Sequence, residues 1–231
     1  MDDLQSEKEQ IEELRAWWSE YGTVIIVGVV IAVGGMLGWN TYNDNKRAAQ
    51  VEASELFEVL AGHVTAGKLD EAASVADDLA SNYANTPYAA QSRLAMARLY
   101  MDQSRDEDAA ESLRELLAMK TDDTLKSVAR LRLAHVLLYQ DKPQEVIDLL
   151  ASAGADAFRS LYDEQLGDAY VALGQYDKAR DAYRRALEES ADPAQNPVID
   201  SAYVQMKLSD LPDSTVAEAE VEPAAEGSDA E

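Results

Sequence analysis

The sequence contains no cysteine and only two histidines. The absence of cysteine excludes disulfide bonds, cysteine-ligated zinc and a thiol nucleophile. His63 and His135 lie far apart in the chain and neither belongs to an HExxH-type pattern. Two isolated histidines do not form a recognisable ligand motif. The sequence therefore predicts no metal site.

Motifs that hold phosphates or build hydrolase active sites are also missing. The glycine-rich cluster GGMLG at 34–38 lies inside an apolar run, and no GxSxG pattern occurs. Carboxylates are abundant, but in an acidic helical chain a pair of them usually belongs to a solvated face. We therefore predict a protein that is not an enzyme and that uses no cofactor.

Positive charge is scarce, with 20 Lys and Arg residues against 44 Asp and Glu residues, for a net charge of −24. Such a chain repels phosphate groups, so we predict no nucleic-acid partner and no attraction to anionic lipid headgroups. Residues 212–231 have seven acidic side chains, no basic side chain and no aromatic ring. This composition predicts a disordered acidic tail.

Charge is absent altogether from the stretch Tyr21–Asn43. As a helix this stretch is about 34 Å long, enough to cross a hydrocarbon core of about 30 Å. Trp39 and Tyr42 near its end suit the membrane interface. We predict a single transmembrane helix at 21–43 after an acidic amphipathic segment at 1–20. The alternatives are a buried helix of a soluble domain and a cleaved signal peptide, which the long and mostly acidic lead before the span disfavours.

The orientation of this helix cannot be read from charge. Lys8 and Arg15 precede it, while Lys46 and Arg47 follow it, so the basic residues are balanced two against two.

Small residues line the predicted span. They allow close approach of another helix in lipid, including a second copy of the anchor. We therefore predict a transmembrane packing face and a homo-oligomer formed through it. The residues of this face are Gly28, Ala32 and Gly35, together with the GxxxG pair Gly34 and Gly38.

From residue 44 to 211 apolar residues recur at helical spacing. The clearest unit, at 161–193, has Gly167 and Tyr170 before a turn at Gly174 and Ala179 after it. This is the tetratricopeptide pattern of a helical hairpin. Two series of small or apolar positions repeat it upstream, both at the same spacing, which is close to the roughly 34 residues of a standard repeat. The two series are Leu60, Ala97, Ala134 and Gly167, and Ala72, Ala109, Val146 and Ala179. We predict an all-α, tetratricopeptide-like solenoid of about four degenerate hairpins with a capping helix at about Pro197–Leu208.

A solenoid of this kind offers a groove along the first helices of its hairpins. Two such helices carry apolar residues beside the packing positions, and apolar grooves bind segments of other chains. The alternative is that the helix containing RLRLAHVLL is simply buried, with His135 as a core histidine. The predicted groove residues are Gln91, Leu94, Arg98, Met101, Val128, Leu131, His135, Leu138 and Tyr139.

The order of these parts resembles a known family. The aromatic lead LRAWWSEYG, the span ending in GGMLGW, the degenerate hairpins and the closing QMKLSDL are similar to the YfgM-type ancillary subunits of the SecYEG translocon. The resemblance covers about residues 5–211. It implies a bacterial inner-membrane protein with a cytoplasmic N-terminus and a periplasmic domain. It also implies association with SecYEG and with a PpiD-like membrane-anchored chaperone, and it supplies no catalytic residues.

The resemblance implies one function, and the anchored hairpins alone leave a second open. The first is a non-enzymatic accessory of protein export that meets newly translocated polypeptides beside a periplasmic chaperone. The alternative is a membrane-tethered tetratricopeptide scaffold for an unrelated cytoplasmic or envelope complex.

Overall fold

The computed structural model describes residues 3–151, 153–154, 157–190 and 199–212. Within these ranges all regular structure is helical, which confirms the predicted all-α class. The predicted acidic tail lies outside the described residues from Asp213 onward. The helices are α1 (Asp3–Thr65), α2 (Leu69–Asn82), α3 (Pro87–Asp102), α4 (Asp106–Ala118), α5 (Asp123–Tyr139), α6 (Pro143–Ala151), α7 (Arg159–Ala172), α8 (Tyr176–Ser190) and α9 (Ser201–Ser209).

The chain divides into two compact units, the first ending at Glu52 and the second beginning at Ala53. Helix α1 contains the uncharged run, and this part of the helix is long and apolar enough to cross a membrane. The most apolar window of α1 is only 6% buried, unlike the core helix of a soluble domain. The first unit thus has the properties of a membrane anchor.

The second unit contains the hairpins. The C-terminal end of α1 and the following α2 make the first hairpin. The next hairpins are α3–α4, α5–α6 and α7–α8, and α9 follows them. This order confirms the predicted four hairpins and capping helix. The predicted start of the capping helix, at about Pro197, lies outside the described residues. Within them Asp200 is extended, and its carboxylate accepts a hydrogen bond from the Tyr203 N–H at 3.1 Å. Asp200 is therefore the N-cap, and the helix begins at Ser201.

Both repeating series lie in the interior, as their spacing predicts. The tightest approach is at Gly167, where an added Cβ would lie 2.3 Å from Cε1 of Tyr183. Glycine is needed there because the ring of α8 rests directly on the backbone of α7. The other members of the two series are 0–3% exposed: Leu60, Ala72, Ala97, Ala109, Ala134, Val146 and Ala179.

Each hairpin turns through a residue with positive φ, and these residues follow the same spacing as the two buried series. They are Gly67, Ser104, Asp141 and Gly174, with φ values between 56° and 70°. In each case the next residue donates its N–H to a carbonyl five positions back, as Arg105 does to Tyr100 at 2.8 Å. This is the Schellman ending of a helix, which satisfies free carbonyls and reverses the chain.

Candidate functional site

An open pocket of about 420 Å³ lies within the second unit, between the second and third hairpins. Helix α3 supplies one wall, α5 the other, and α4 a single leucine. The pocket combines apolar side chains with two guanidinium groups and one imidazole. It is lined by Ala97, Arg98, Met101, Leu113, Arg132, His135, Val136 and Tyr139.

Helix α5 places its pocket residues by simple helical geometry. The helix is capped at its start by Asp122, whose carboxylate accepts the Thr124 N–H at 2.8 Å. Arg132, His135 and Tyr139 follow one another at intervals of three and four, so they share one face of the helix. Other faces of α5 are buried in the core of the unit. Tyr139 is 69% exposed and leaves a large apolar ring at the pocket.

The structure brings four of the nine predicted groove residues into this pocket: Arg98, Met101, His135 and Tyr139. Leu94 is 9% exposed and belongs to the central core. Val128, Leu131 and Leu138 are half-buried and pack against that core, and Gln91 is half-buried outside the pocket lining. His135 itself is exposed. Whether the pocket binds a partner stays a prediction.

The charges of the pocket are only partly neutralised. Arg98 Nε lies 3.7 Å from Oδ2 of Asp102 on the same helix. The side chain of Arg132 forms no salt bridge or hydrogen bond with any other residue in the described part of the chain. His135 is exposed as a residue, yet desolvation of its ring lowers the pKa of His135, because it disfavours the imidazolium; Glu164 and Asp168 oppose this effect. Arginine therefore supplies the positive charge here.

Four lining residues were not among the predicted set: Ala97, Leu113, Arg132 and Val136. Arg132 is the most important omission, because the prediction followed apolar residues and included Arg98 as its one arginine. Its position one helical turn before His135 was the available signal. Ala97 and Val136 lie next to predicted residues, whereas Leu113 comes from α4 and requires the tertiary structure.

Next to the pocket, α7 and α9 form a polar cluster that the sequence did not predict. The Lys207 ammonium donates to Glu164 Oε1 at 2.9 Å and to Asp168 Oδ2 at 2.7 Å. The Tyr183 hydroxyl donates to Asp168 Oδ1 at 2.7 Å. Burial, reinforced by Asp168, raises the pKa of Tyr183, and hydrogen bonds to the two carboxylates raise the pKa of Lys207 against the opposing effect of burial. The capping helix thus closes this end of the hairpin stack.

The predicted packing face of the anchor is open along α1. Apart from the adjoining backbone of α1, no atom of the described residues lies within 4 Å of a Cβ built on Gly28, Gly34, Gly35 or Gly38. Ala32 is exposed as well. Packing against another helix therefore stays a prediction. Among the residues that the structure describes, no group of three or more His, Asp or Glu side chains is arranged to hold a metal ion.

Comparison with known proteins finds one matching family and several similar proteins. The family described as tetratricopeptide repeat-like domain matches residues 15–213. The chain is similar to the "Ancillary SecYEG translocon subunit" of Escherichia coli, at 28% identity over 91% of this chain and 99% of that protein. Proteins of the same name are similar in Aggregatibacter actinomycetemcomitans, at 26% identity, and in Haemophilus influenzae, at 24% identity, each over 89% of this chain and 97% of the relative. These relatives confirm the resemblance, and the chain belongs to the tetratricopeptide repeat-like domain family.

Proposed function

We propose that this chain is a non-enzymatic, membrane-anchored accessory of protein export that associates with the SecYEG translocon. The observation that carries the proposal is the extent of the similarity to ancillary translocon subunits, about nine-tenths of this chain and nearly all of each relative. Such coverage takes in the apolar helix as well as the hairpins. A shared hairpin fold alone would support only a general binding function.

In this proposal α1 crosses the bacterial inner membrane, with its N-terminus in the cytoplasm and the hairpins in the periplasm. The relatives' association with the translocon supports an inner-membrane location, and the exposed apolar run in α1 supports a single span. The balanced basic residues on the two sides of the run leave the orientation to experiment.

The anchor would confine the hairpins close to the translocon. Confinement raises the effective concentration of two tethered partners, so weak contacts are sufficient for association. The pocket between α3 and α5 suits such contacts, because it offers apolar surface from Met101 and Tyr139 beside Arg98 and Arg132. We propose that it holds extended segments with apolar and acidic side chains, from an emerging polypeptide or from a PpiD-like membrane-anchored chaperone.

The test is co-purification of the full-length tagged chain after extraction in mild detergent. We expect recovery of SecYEG components and of a membrane-anchored periplasmic chaperone. Recovery of the intact chain from the membrane without either would contradict the proposal. A reporter fused after Leu211 gives the orientation: activity restricted to the cytoplasm would favour the alternative scaffold.

Charge reversal in the pocket distinguishes partner binding by the pocket from partner binding by the anchor. The double variant Arg98→Glu and Arg132→Glu should still co-purify with SecYEG but should recover much less of the chaperone or of the exported polypeptide. A matched control on α8, Lys178→Glu with Arg184→Glu, makes the same change in net charge away from the pocket and should keep both. Equal losses in the two variants would point to net charge rather than to the pocket.

A further inference from the structure

The pocket is a locally cationic site in an acidic domain. Residues 44–211 contain 18 basic and 30 acidic side chains. In this acidic surrounding, Arg98 forms an ion pair with the exposed carboxylate of Asp102, and Arg132 forms no ion pair within the described ranges. An unpaired arginine beside exposed apolar surface favours an acidic ligand that also carries apolar side chains.

The chain contains a segment of this chemistry directly after its described part. Residues 213–231 have seven acidic and no basic side chains. Between Glu218 and Glu222 glutamate alternates with Ala219 and Val221. In an extended segment successive side chains point to opposite sides, so this alternation separates an apolar edge from an acidic edge. The pocket likewise combines an apolar side chain, Met101, with two arginines, Arg98 and Arg132.

The tail starts from the same compact unit that carries the pocket. Arg180 Nη2 donates to the Pro212 carbonyl at 2.8 Å, which fixes the point where the tail leaves the second unit. Lys207, shortly before it, contacts Glu164 and Asp168, and these two carboxylates act electrostatically on His135 in the pocket. The ten residues from Asp213 to Glu222 can span about 34 Å when extended, and this is the length available to bring Glu220 and Glu222 to the pocket.

We propose that the tail, residues 213–231, binds in the α3–α5 pocket of its own chain. Glu220 and Glu222 meet Arg98 and Arg132, and Val221 packs against the apolar wall. If the pocket also receives export partners, a consequence that rests on the proposed function, the tail competes with them. Only partners that bind more tightly than the tethered tail would then displace it from the pocket.

Because the chain has no cysteine of its own, introduced cysteines test the contact in the full-length protein. One cysteine replaces Val221, and its partner replaces either Tyr139 at the pocket or Asp181 on α8. Asp181 is 68% exposed and follows Arg180, which donates to the Pro212 carbonyl at the start of the tail. An unbound tail should therefore encounter position 181 more often than position 139. A short thiol-reactive cross-linker, added at low protein concentration in detergent, is followed by mass spectrometry.

We expect about fivefold more cross-linking at Tyr139→Cys than at Asp181→Cys, the ratio given by one or two exposed ion pairs. High salt should abolish the difference because it screens such pairs. Arg98→Glu with Arg132→Glu should also abolish it. Adding Glu220→Lys and Glu222→Lys to that variant should restore it, which shows that the reversed pocket is folded.

Preferential cross-linking at Asp181→Cys, or a pattern unaffected by salt and by charge reversal, would overturn the proposal. So would cross-linked dimers that disappear on dilution, because they would place the tail on a second copy. The co-purification of SecYEG is independent of all these outcomes. Failure of tail binding is thus distinguishable from failure of the proposed function.

Discussion

Equivalent positions of successive hairpins differ in what surrounds them. Arg98 on α3, His135 on α5 and Asp168 on α7 follow one another at the repeat spacing of the chain. The first two border an open pocket. Asp168 instead accepts hydrogen bonds from Lys207 and Tyr183, both at 2.7 Å. One position in the repeat is therefore open in two hairpins and closed in the next.

The open and closed positions differ because of the helix packed beside them, not because of their position in the repeat. Helix α9 follows the fourth hairpin, and its Lys207 is only 16% exposed between Glu164 and Asp168. Among the described residues no helix supplies such a lysine at the pocket, and Arg132 has no ionic partner there. A terminal repeat needs a polar cap to end the stack, whereas an interior groove is free to bind other chains.

The largest effect is expected at the closed end, from Gly167→Ala. The new Cβ would lie 2.3 Å from Tyr183 Cε1, so the ring or the helix must move. We expect a loss of about 2–3 kcal/mol of unfolding free energy, measured by hydrogen exchange of α7 and α8. Gly62→Ala is the control, because apart from the adjoining helix backbone no described atom lies within 4 Å of its added Cβ. Equal effects of the two substitutions would show that the close packing is absent.

A smaller loss is expected from Lys207→Met. This change leaves two largely buried carboxylates without their ammonium and should cost about 2 kcal/mol, seen as faster exchange in α9 and α7. Arg132→Met at the open pocket should change stability by less than about 0.5 kcal/mol. A comparable loss in both variants would remove the distinction between a closed and an open region.

The closed end should also be the part that loosens at alkaline pH. The pKa of Tyr183 and the pKa of Lys207 are both raised in the folded state, from unfolded values of 10.0 and 10.5. Each group then holds its proton more tightly when folded, so this stability is present below about pH 10 and is lost as the pH rises above it. Hydrogen exchange in α9, corrected for the intrinsic pH dependence, should accelerate in that range before exchange in α3 and α5 does. Simultaneous acceleration would contradict the assignment.

The turns give the smallest effects. Gly174→Ala introduces a side chain at a φ of 70° and should cost about 1 kcal/mol. Ser104→Gly relieves the corresponding strain at a φ of 58° and should gain about 0.5 kcal/mol, since the entropy of glycine in the unfolded chain offsets part of the relief. Thermal unfolding of the full chain measures both. A stabilising Gly174→Ala would show that these turns are not constrained.

Much of this fold could be predicted because its signals are local. The shared spacing of Leu60, Ala97, Ala134 and Gly167 located the hairpins, since small or apolar residues at helix crossings must recur with the repeat. Asp200 was predicted to lie within the last helix, whereas the structure shows it as the N-cap of α9. The positive-φ residues Ser104 and Asp141 were also missed, since neither is a glycine.

The polar contacts could not be predicted because they depend on tertiary neighbours. Asp163 is fully buried, and besides the local i,i+4 pair with Arg159 it binds Arg185 at 2.8 Å, a pairing between α7 and α8 that spacing alone does not specify. The position of Lys207 between two carboxylates depends equally on how α9 packs. For the same reason only four of the nine predicted groove residues lie together in one pocket.

We expect the α3–α5 pocket to bind export partners and the α7–α9 end to bind none. A photo-reactive amino acid at Tyr139, compared in living cells with one at Tyr203 on α9, tests this contrast directly, since both tyrosines are exposed. Position 139 should cross-link to an exported polypeptide or to a membrane-anchored periplasmic chaperone, identified by mass spectrometry, and position 203 should give few such products. Equal cross-linking from both positions, or none of these proteins at position 139, would contradict the proposed role of the pocket.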